Sequence, residues 1–329
     1  MALVALAASA QVKLGKAVEY AKEHFTISGY AQAGWDYDSE GDPKHDFKVR
    51  RIILMADYRI NDHWNAFIMT DFKAMSLHEY WVNYRVAPWM NWKLGQFKTP
   101  FSLENPISPA VMEMITQMSA PGTWMIAGAS PFMMPGGAGR DLGLTVYGDI
   151  DKWVSYDLAV MNGAGRNKRD DNSWKDFVGR LTFHPFQQLN VSGSVILGKG
   201  AVKSVAGGIP GSSATTGDYK RNRYAAGVQL MTKPVNVRSE FMWGRDSDIK
   251  SHGEYVTAQA SNIGVKNLDL VASFDHLKVD GMQEQYNYQV GLQYWFYKKC
   301  RFQIGYKYTD NAMAGNDSHG VLTQLQVGF

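Results

Sequence analysis

Along most of this chain apolar and polar side chains alternate with a period of two, the repeat of a β-strand with one dry and one wet face. From Gln283 to Tyr297 the dry face carries Tyr286, Tyr288, Val290, Leu292, Tyr294 and Phe296, and the wet face Asn287, Gln289, Gly291 and Gln293. Aromatics stand at both ends of the dry face with aliphatics between, the order of two interfacial girdles around a hydrocarbon band. The next strand repeats it, with Phe302, Ile304, Tyr306 and Tyr308 against Arg301, Gln303, Gly305, Lys307 and Thr309. The last ten residues set Val321, Thr323, Leu325, Val327 and Phe329 against Leu322, Gln324, Gln326 and Gly328, and stop on the aromatic. Such a strand suits the closure of an outer-membrane barrel, apolar toward lipid and polar toward the lumen.

The same period marks sixteen segments, at residues 25–36, 47–59, 63–73, 76–86, 90–98, 139–149, 152–162, 174–184, 188–199, 219–232, 235–245, 253–262, 265–278, 283–297, 301–310 and 319–329. Most are long enough to cross a bilayer as tilted strands, and an even number closes with both ends on one side. Every second connector is tight: Ile60 to Asp62, Ala87-Pro88-Trp89, Ile150-Asp151, Pro185 to Gln187, Lys233-Pro234, Ile263-Gly264 and Lys298 to Cys300. The others include long polar or Gly-rich stretches at Tyr37 to Asp46, Gly163 to Ser173, Gly200 to Asp218 and Asn311 to Ser318. The expected fold is all-β, a sixteen-stranded antiparallel transmembrane barrel over residues 25–329, in the outer membrane of a Gram-negative bacterium. A half-exposed sheet of a soluble protein shares the alternation but not the paired girdles.

The 329 residues are 45% hydrophobic and 13% aromatic, enough for one large β domain. A net charge of +3 gives no reason to expect nucleic acid, and a single cysteine, Cys300, rules out an internal disulfide framework. The uncharged run Met114 to Gly139 contains Pro121, Pro131 and Pro135 and reads as a loop. Residues 1–10 end in Ala8-Ser9-Ala10 before Gln11 and read as the remnant of a secretory signal lacking its basic start, or else as a hydrophobic leader to a helix. Leu14, Ala17, Val18 and Ala21 recur at helical spacing, so the N-terminal segment 11–24 is expected to be helical in part.

Four motifs occur in order through the first half: Phe47-Lys48-Val49-Arg50-Arg51-Ile52, Leu94 to Ser102, Arg140-Asp141-Leu142-Gly143-Leu144 and Met161-Asn162-Gly163. In that order they resemble the phosphate-selective porin O and P family, in its Bacteroidetes-like branch. The resemblance implies a trimeric passive channel whose long third loop folds into the lumen, and which takes small hydrophilic solutes or anions. It implies no cofactor. The connector from Thr99 to Ala138 holds the third-loop position, yet it departs from a basic constriction, being uncharged from Met114 onward. Met112, Met114, Met118, Met125, Met133 and Met134, with Trp124 and Phe132, make it soft and apolar. It reads either as a constriction or as packing on the inner wall or a subunit contact, and phosphate selectivity is not carried over.

Charges facing water inside a barrel set its selectivity. Alternation turns Arg51, Arg85, Arg180, Arg221, Arg223, Arg238, Arg301 and Lys307 inward, with Asp57, Asp71, Glu79, Asp157, Glu240, Asp269 and Asp275. The signs nearly cancel, which points to a porin for small hydrophilic solutes with at most mild anion preference. Arg221 and Arg223 form the densest basic patch and a candidate mouth for anions, or else brace the wall by pairing with carboxylates. Two other classes stay open: a structural or partner-docking barrel with a closed lumen, and a barrel enzyme built on Ser273, Asp275 and His276. The enzyme reading is weak because Asp275 and His276 are successive and face opposite sides. Asp36, Asp38, Glu40 and Asp42 begin like a calcium loop, but Phe47 stands where its bidentate Glu belongs. His252-Gly253-Glu254 lacks the cysteine pair of a zinc deaminase, and the run to Gly200 lacks the Ser or Thr of a P-loop.

Overall fold

The computed structural model describes residues 19–126, 138–204 and 216–329. Residues 1–10 and 11–18 lie outside the described residues, and 19–24 are helical. The strands are β1 (Phe25–Asp38), β2 (His45–Arg59), β3 (Trp64–Asp71), β4 (Ser76–Ala87), β5 (Met90–Lys98), β6 (Arg140–Ile150), β7 (Val154–Met161) and β8 (Asp176–Phe186). They continue as β9 (Leu189–Ala201), β10 (Asp218–Met231), β11 (Val235–Asp246), β12 (Ile249–Ala260), β13 (Leu268–Val279), β14 (Gln283–Tyr297), β15 (Cys300–Asn311) and β16 (Asn316–Gly328). Each pairs antiparallel with its neighbours, and β1 meets β16, from Tyr30 opposite Gly328 to Asp38 opposite Gly320, so the sheet closes without an edge.

The two faces separate as the alternation expects. On β14, Tyr288, Val290, Leu292, Tyr294 and Phe296 are exposed, whereas Asn287, Gln289 and Gln293 are buried. Exposed apolar side chains recur on every strand, a surface that only a hydrocarbon solvent suits. All sixteen strands lie near their expected positions, with three corrections at the connectors. β12 starts at Ile249 rather than 253, so β11 and β12 join through Ser247 and Asp248 alone. β16 starts at Asn316 rather than 319, which shortens the last outer connector to 312–315. The β12–β13 connector is 261–267, longer than the expected Ile263-Gly264 turn. Connector length therefore sorts by side less sharply than the sequence suggests. Among the outer connectors only 99–139, 162–175 and 202–217 are long, because several strands run past the membrane and use up residues that look like loop.

A second correction concerns the interior. The inward face is not polar throughout: Val178, Ile196, Met242, Tyr255, Leu277 and Val279 of β8, β9 and β11–β13 join a buried apolar cluster. The partner is a short helix in the β5–β6 connector, Ala120–Met125, which lies against β11, β12 and β13. Ser119 caps it by accepting a hydrogen bond from Gly122 N at 3.2 Å, and Pro121 suits the first turn, where a backbone N–H has no helical partner. Met125 and Ile126 are wholly buried, and each such side chain contributes about 1.5–3 kcal/mol by leaving water.

Candidate functional site

The described half of the β5–β6 connector is bonded to the polar face of the sheet on several strands. Its neck is closed by Thr99 N donating to Gly139 O at 2.9 Å and by Asn105 Nδ2 donating to the same oxygen at 2.9 Å. Gly139 sits at φ +70°, and a Cβ there would meet Asn105 Oδ1 at 2.1 Å, so only glycine fits. Beyond the neck, Glu240 of β11 takes hydrogen bonds from Ser102 Oγ at 2.6 Å, Leu103 N at 3.0 Å and Tyr255 Oη at 3.2 Å. Arg238 grips Glu113 with both guanidinium ends, at 3.0 and 2.9 Å. Gln32, Gln326 and Arg301 donate to Pro109 O, Ala110 O and Pro109 O at 3.2, 3.0 and 3.2 Å. Thr116 Oγ1 donates to Gln289 at 2.9 Å, and Ala120 N to Asp275 Oδ1 at 3.1 Å. Within the connector, Ser119 Oγ and N donate to Glu104 Oε2 at 2.7 and 3.1 Å. Glu104 is only 2% exposed, and burial pushes its carboxyl up to about 8.

A cavity of about 190 Å3 lies between this connector and the wall of β1–β6. One side is basic, with Arg50, Arg51, Lys98, Arg140 and His78; the other is apolar, with Ile107, Met112 and Met118. Arg140 Nε donates to Glu79 at 3.0 Å, Arg50 pairs with Asp36, and His78 Nε2 stands 3.9 Å from Asp71. Lys98 Nζ donates to Ile107 O at 2.7 Å. Neither Arg51 nor Lys98 enters a carboxylate ion pair among the described residues. A second cavity of about 360 Å3 runs along β13–β15, lined by Met118, Trp124, Asp275, Asn287, Gln289 and Lys307.

The expected pore-lining residues fall into four sets. Arg51 and Asp71 line the first cavity with Glu79 beside it, Lys307 lines the second, and Arg180 lines a third near Asn91 and Asp157. Arg238, Glu240 and Arg301 hold the connector, and Arg85 is exposed at the end of β4. Arg221 and Arg223 follow the second of their two readings, as wall braces rather than an anion-attracting mouth. Arg221 pairs with Asp176 at 2.7 Å and Arg223 with Asp246 at 2.6 Å, all four nearly or wholly buried. Their charges brace the wall rather than face a solute.

Of the expected constriction residues, Met112 and Met118 line the first cavity, while Trp124 and Met125 pack into the apolar cluster. Met114 is half-buried, and Phe132, Met133 and Met134 lie outside the described residues. Asp36, considered for a calcium loop, is taken by Arg50 and by Lys48 at 3.4 Å. Asp275 bonds inward to Ala120 and Asn287 while His276 stacks on Tyr286 of the outer face, so the two do not converge on one site.

Sequence reasoning missed Arg50, His78, Lys98 and Arg140, which strict alternation assigns to the lipid side. Arg50 and His78 are the extra residues of two β-bulges, opposite the steps Gln32/Ala33 and Met69/Thr70. Lys98 and Arg140 form the last pair of the β5–β6 ladder, where the strands end and the side chains swing toward the cavity. Arg50, Lys98 and Arg140 stood in motifs already noted; the bulges themselves left no local signal. Glu104 and Glu113 were also missed, because they precede the uncharged run from Met114 that marks this connector.

No family model matches the chain, and no curated protein matches it. Among solved structures it is similar to the anion-selective porin from Comamonas acidovorans, at TM-score 0.68 and 11% identity, over 93% of this chain and 99% of that one. OmpT, an outer-membrane protein of Vibrio cholerae in its trimer form, is similar at TM-score 0.66 and 10% identity, with the same coverage. The outer-membrane channel DcaP of Acinetobacter baumannii follows at 0.60 and 12%, over 92% and 97%. At such identities the likeness is one of fold. The closed sixteen-stranded barrel with an apolar outer belt is the fold it shares with these outer-membrane proteins.

Proposed function

We propose that this protein is a passive outer-membrane channel for small hydrophilic solutes, with a mild preference for anions, in a Gram-negative envelope. The observation that carries this reading is the first cavity, whose wall Arg51 and Lys98 line without an ion pair to a carboxylate among the described residues. The connector over 99–126 acts as the constriction, its Met112 and Met118 forming the apolar bank opposite the basic wall. A basic bank raises the local anion concentration, while Asp71 and Glu79 nearby keep the preference mild. The resemblance of the four motifs to the phosphate-selective porins agrees with a channel that takes anions, and the trimer form in the printed name of OmpT supports a homotrimer here. A catalytic role has no support from the Asp275 and His276 geometry.

A second reading, a closed structural barrel, draws on the connector's bonds to β1, β11 and β13–β16. Recording in planar bilayers separates the two. The channel gives discrete conductance steps; a correctly folded protein that inserts and stays silent sinks it.

A further inference from the structure

Outside the lumen, the outer-connector ends of β9–β13 carry a belt of cations on the lipid-facing side. Lys199 of β9 stands directly opposite Lys220 of β10, and Arg245 of β11 directly opposite Lys250 of β12. Lys278 of β13 continues the row opposite His252. Cross-strand pairs of like charge are unfavourable by themselves, and here two occur on four adjacent strands. Lys199, Lys220 and Lys250 enter no ion pair among the described residues. Arg245 has only Asp248 at 3.8 Å, both half-exposed, while Lys278 has Glu284 at 3.0 Å. Immediately toward the membrane lie aromatics of the outer girdle, Tyr224 against Trp243 with ring centres 5.4 Å apart, and beside Lys199 the connector's Trp174 has that ammonium 3.5 Å above its ring.

On β15 and β16 the rim has the opposite sign. Asp310 of β15 stands opposite Asp317 of β16, so the belt belongs to one sector rather than to a general solubilising surface. Lysines one step beyond an interfacial aromatic lay their stems along the apolar surface and lift their ammonium groups to head-group level. A row of unpaired cations at that height, facing the membrane rather than the solvent-filled mouth, complements phosphate carried on a lipid.

We propose that the outer face of β9–β13 binds a phosphorylated glycolipid head group of the outer leaflet, with Lys199, Lys220 and Lys250 as the phosphate ligands. The test is native mass spectrometry in mild detergent, on wild type and on the triple variant Lys199→Gln, Lys220→Gln, Lys250→Gln. Each is titrated with a bis-phosphorylated glycolipid and with the same lipid stripped of phosphate. Wild type binds the phosphorylated lipid and the variant about a hundredfold more weakly, while the stripped lipid binds both alike. The triple Lys→Arg variant restores binding. Because these residues lie off the lumen, unchanged single-channel conductance shows that the variants fold. Equal binding of phosphorylated lipid by wild type and variant overturns the proposal, as does equal binding of both lipids by wild type. A variant that loses oligomeric state while lipid binding stands also overturns it, and assigns the belt to contact with a second copy.

Discussion

The chemistry of the first cavity depends on four residues that break the alternation rule. Arg50, His78, Lys98 and Arg140 carry polar groups that would cost several kcal/mol each in lipid, about 2–4 kcal/mol for an arginine or lysine at mid-membrane. Two bulges and a strand end turn them inward instead. Glu104 behaves differently, because its neighbours are a serine hydroxyl and backbone rather than a cation at bonding distance. Its carboxyl sits at about 8 against an ordinary 4.5, so the folded protein holds a proton that the unfolded chain would release. The stabilisation this gives is full below pH 4.5 and is lost as pH climbs through about 8. Protease cleavage within the connector should therefore rise between pH 7 and 9 in wild type and stay flat in Glu104→Gln; a rise of equal size in both would refute the assignment. Glu240→Ala leaves Ser102 Oγ, Leu103 N and Tyr255 Oη without their shared acceptor, at about 1–3 kcal/mol for each donor left dry. That variant should melt at lower temperature and conduct more, read by thermal unfolding and bilayer recording.

At the level of elements, strand positions were legible because a lipid-facing strand must show one unbroken apolar face, as β14 and β15 do. Strand ends were less so. Ile249–Ser251 looks like loop by composition, yet pairs with β11 through Asp246 opposite Ile249. The inner wall was half legible: alternation found Arg238, Glu240 and Arg301 but could not say which charges meet a partner across the barrel. Arg223 and Asp246 lie on neighbouring strands, and Arg221 and Asp176 are joined across β9. Arg223→Ala strands a buried Asp246 and should cost about 3–5 kcal/mol in unfolding free energy. It should leave ion selectivity near wild type, since neither charge faces the cavity. A large shift in reversal potential with no loss of stability would show that the pair is part of the path. The connector helix is held closely as well: a Cβ on Gly122 would stand 2.6 Å from Glu104 Oε2, so Gly122→Ala should loosen the Ser119–Glu104 contact and mimic high pH in the cleavage assay.

The whole molecule is a closed sheet whose outer surface answers to lipid and whose inner surface is divided by one connector. Closure was readable from the closing strand, where Gln324 and Gln326 are buried while Leu325 and Val327 are exposed. The division of the lumen was not, because it depends on where a long segment of mixed composition settles among several walls. The apolar inner patch of β8–β13 receives Trp124 and Met125, which leaves Met112 and Met118 facing the basic wall. The central claim is that solutes pass along that wall and that Arg51 and Lys98 set its preference for anions. The most direct measurement is the reversal potential of single channels under a salt gradient, for wild type and for Arg51→Ala with Lys98→Ala. Wild type should favour anions modestly, and the double variant should lose that preference or reverse it while still conducting in discrete steps. An unchanged reversal potential in a conducting double variant would contradict the account.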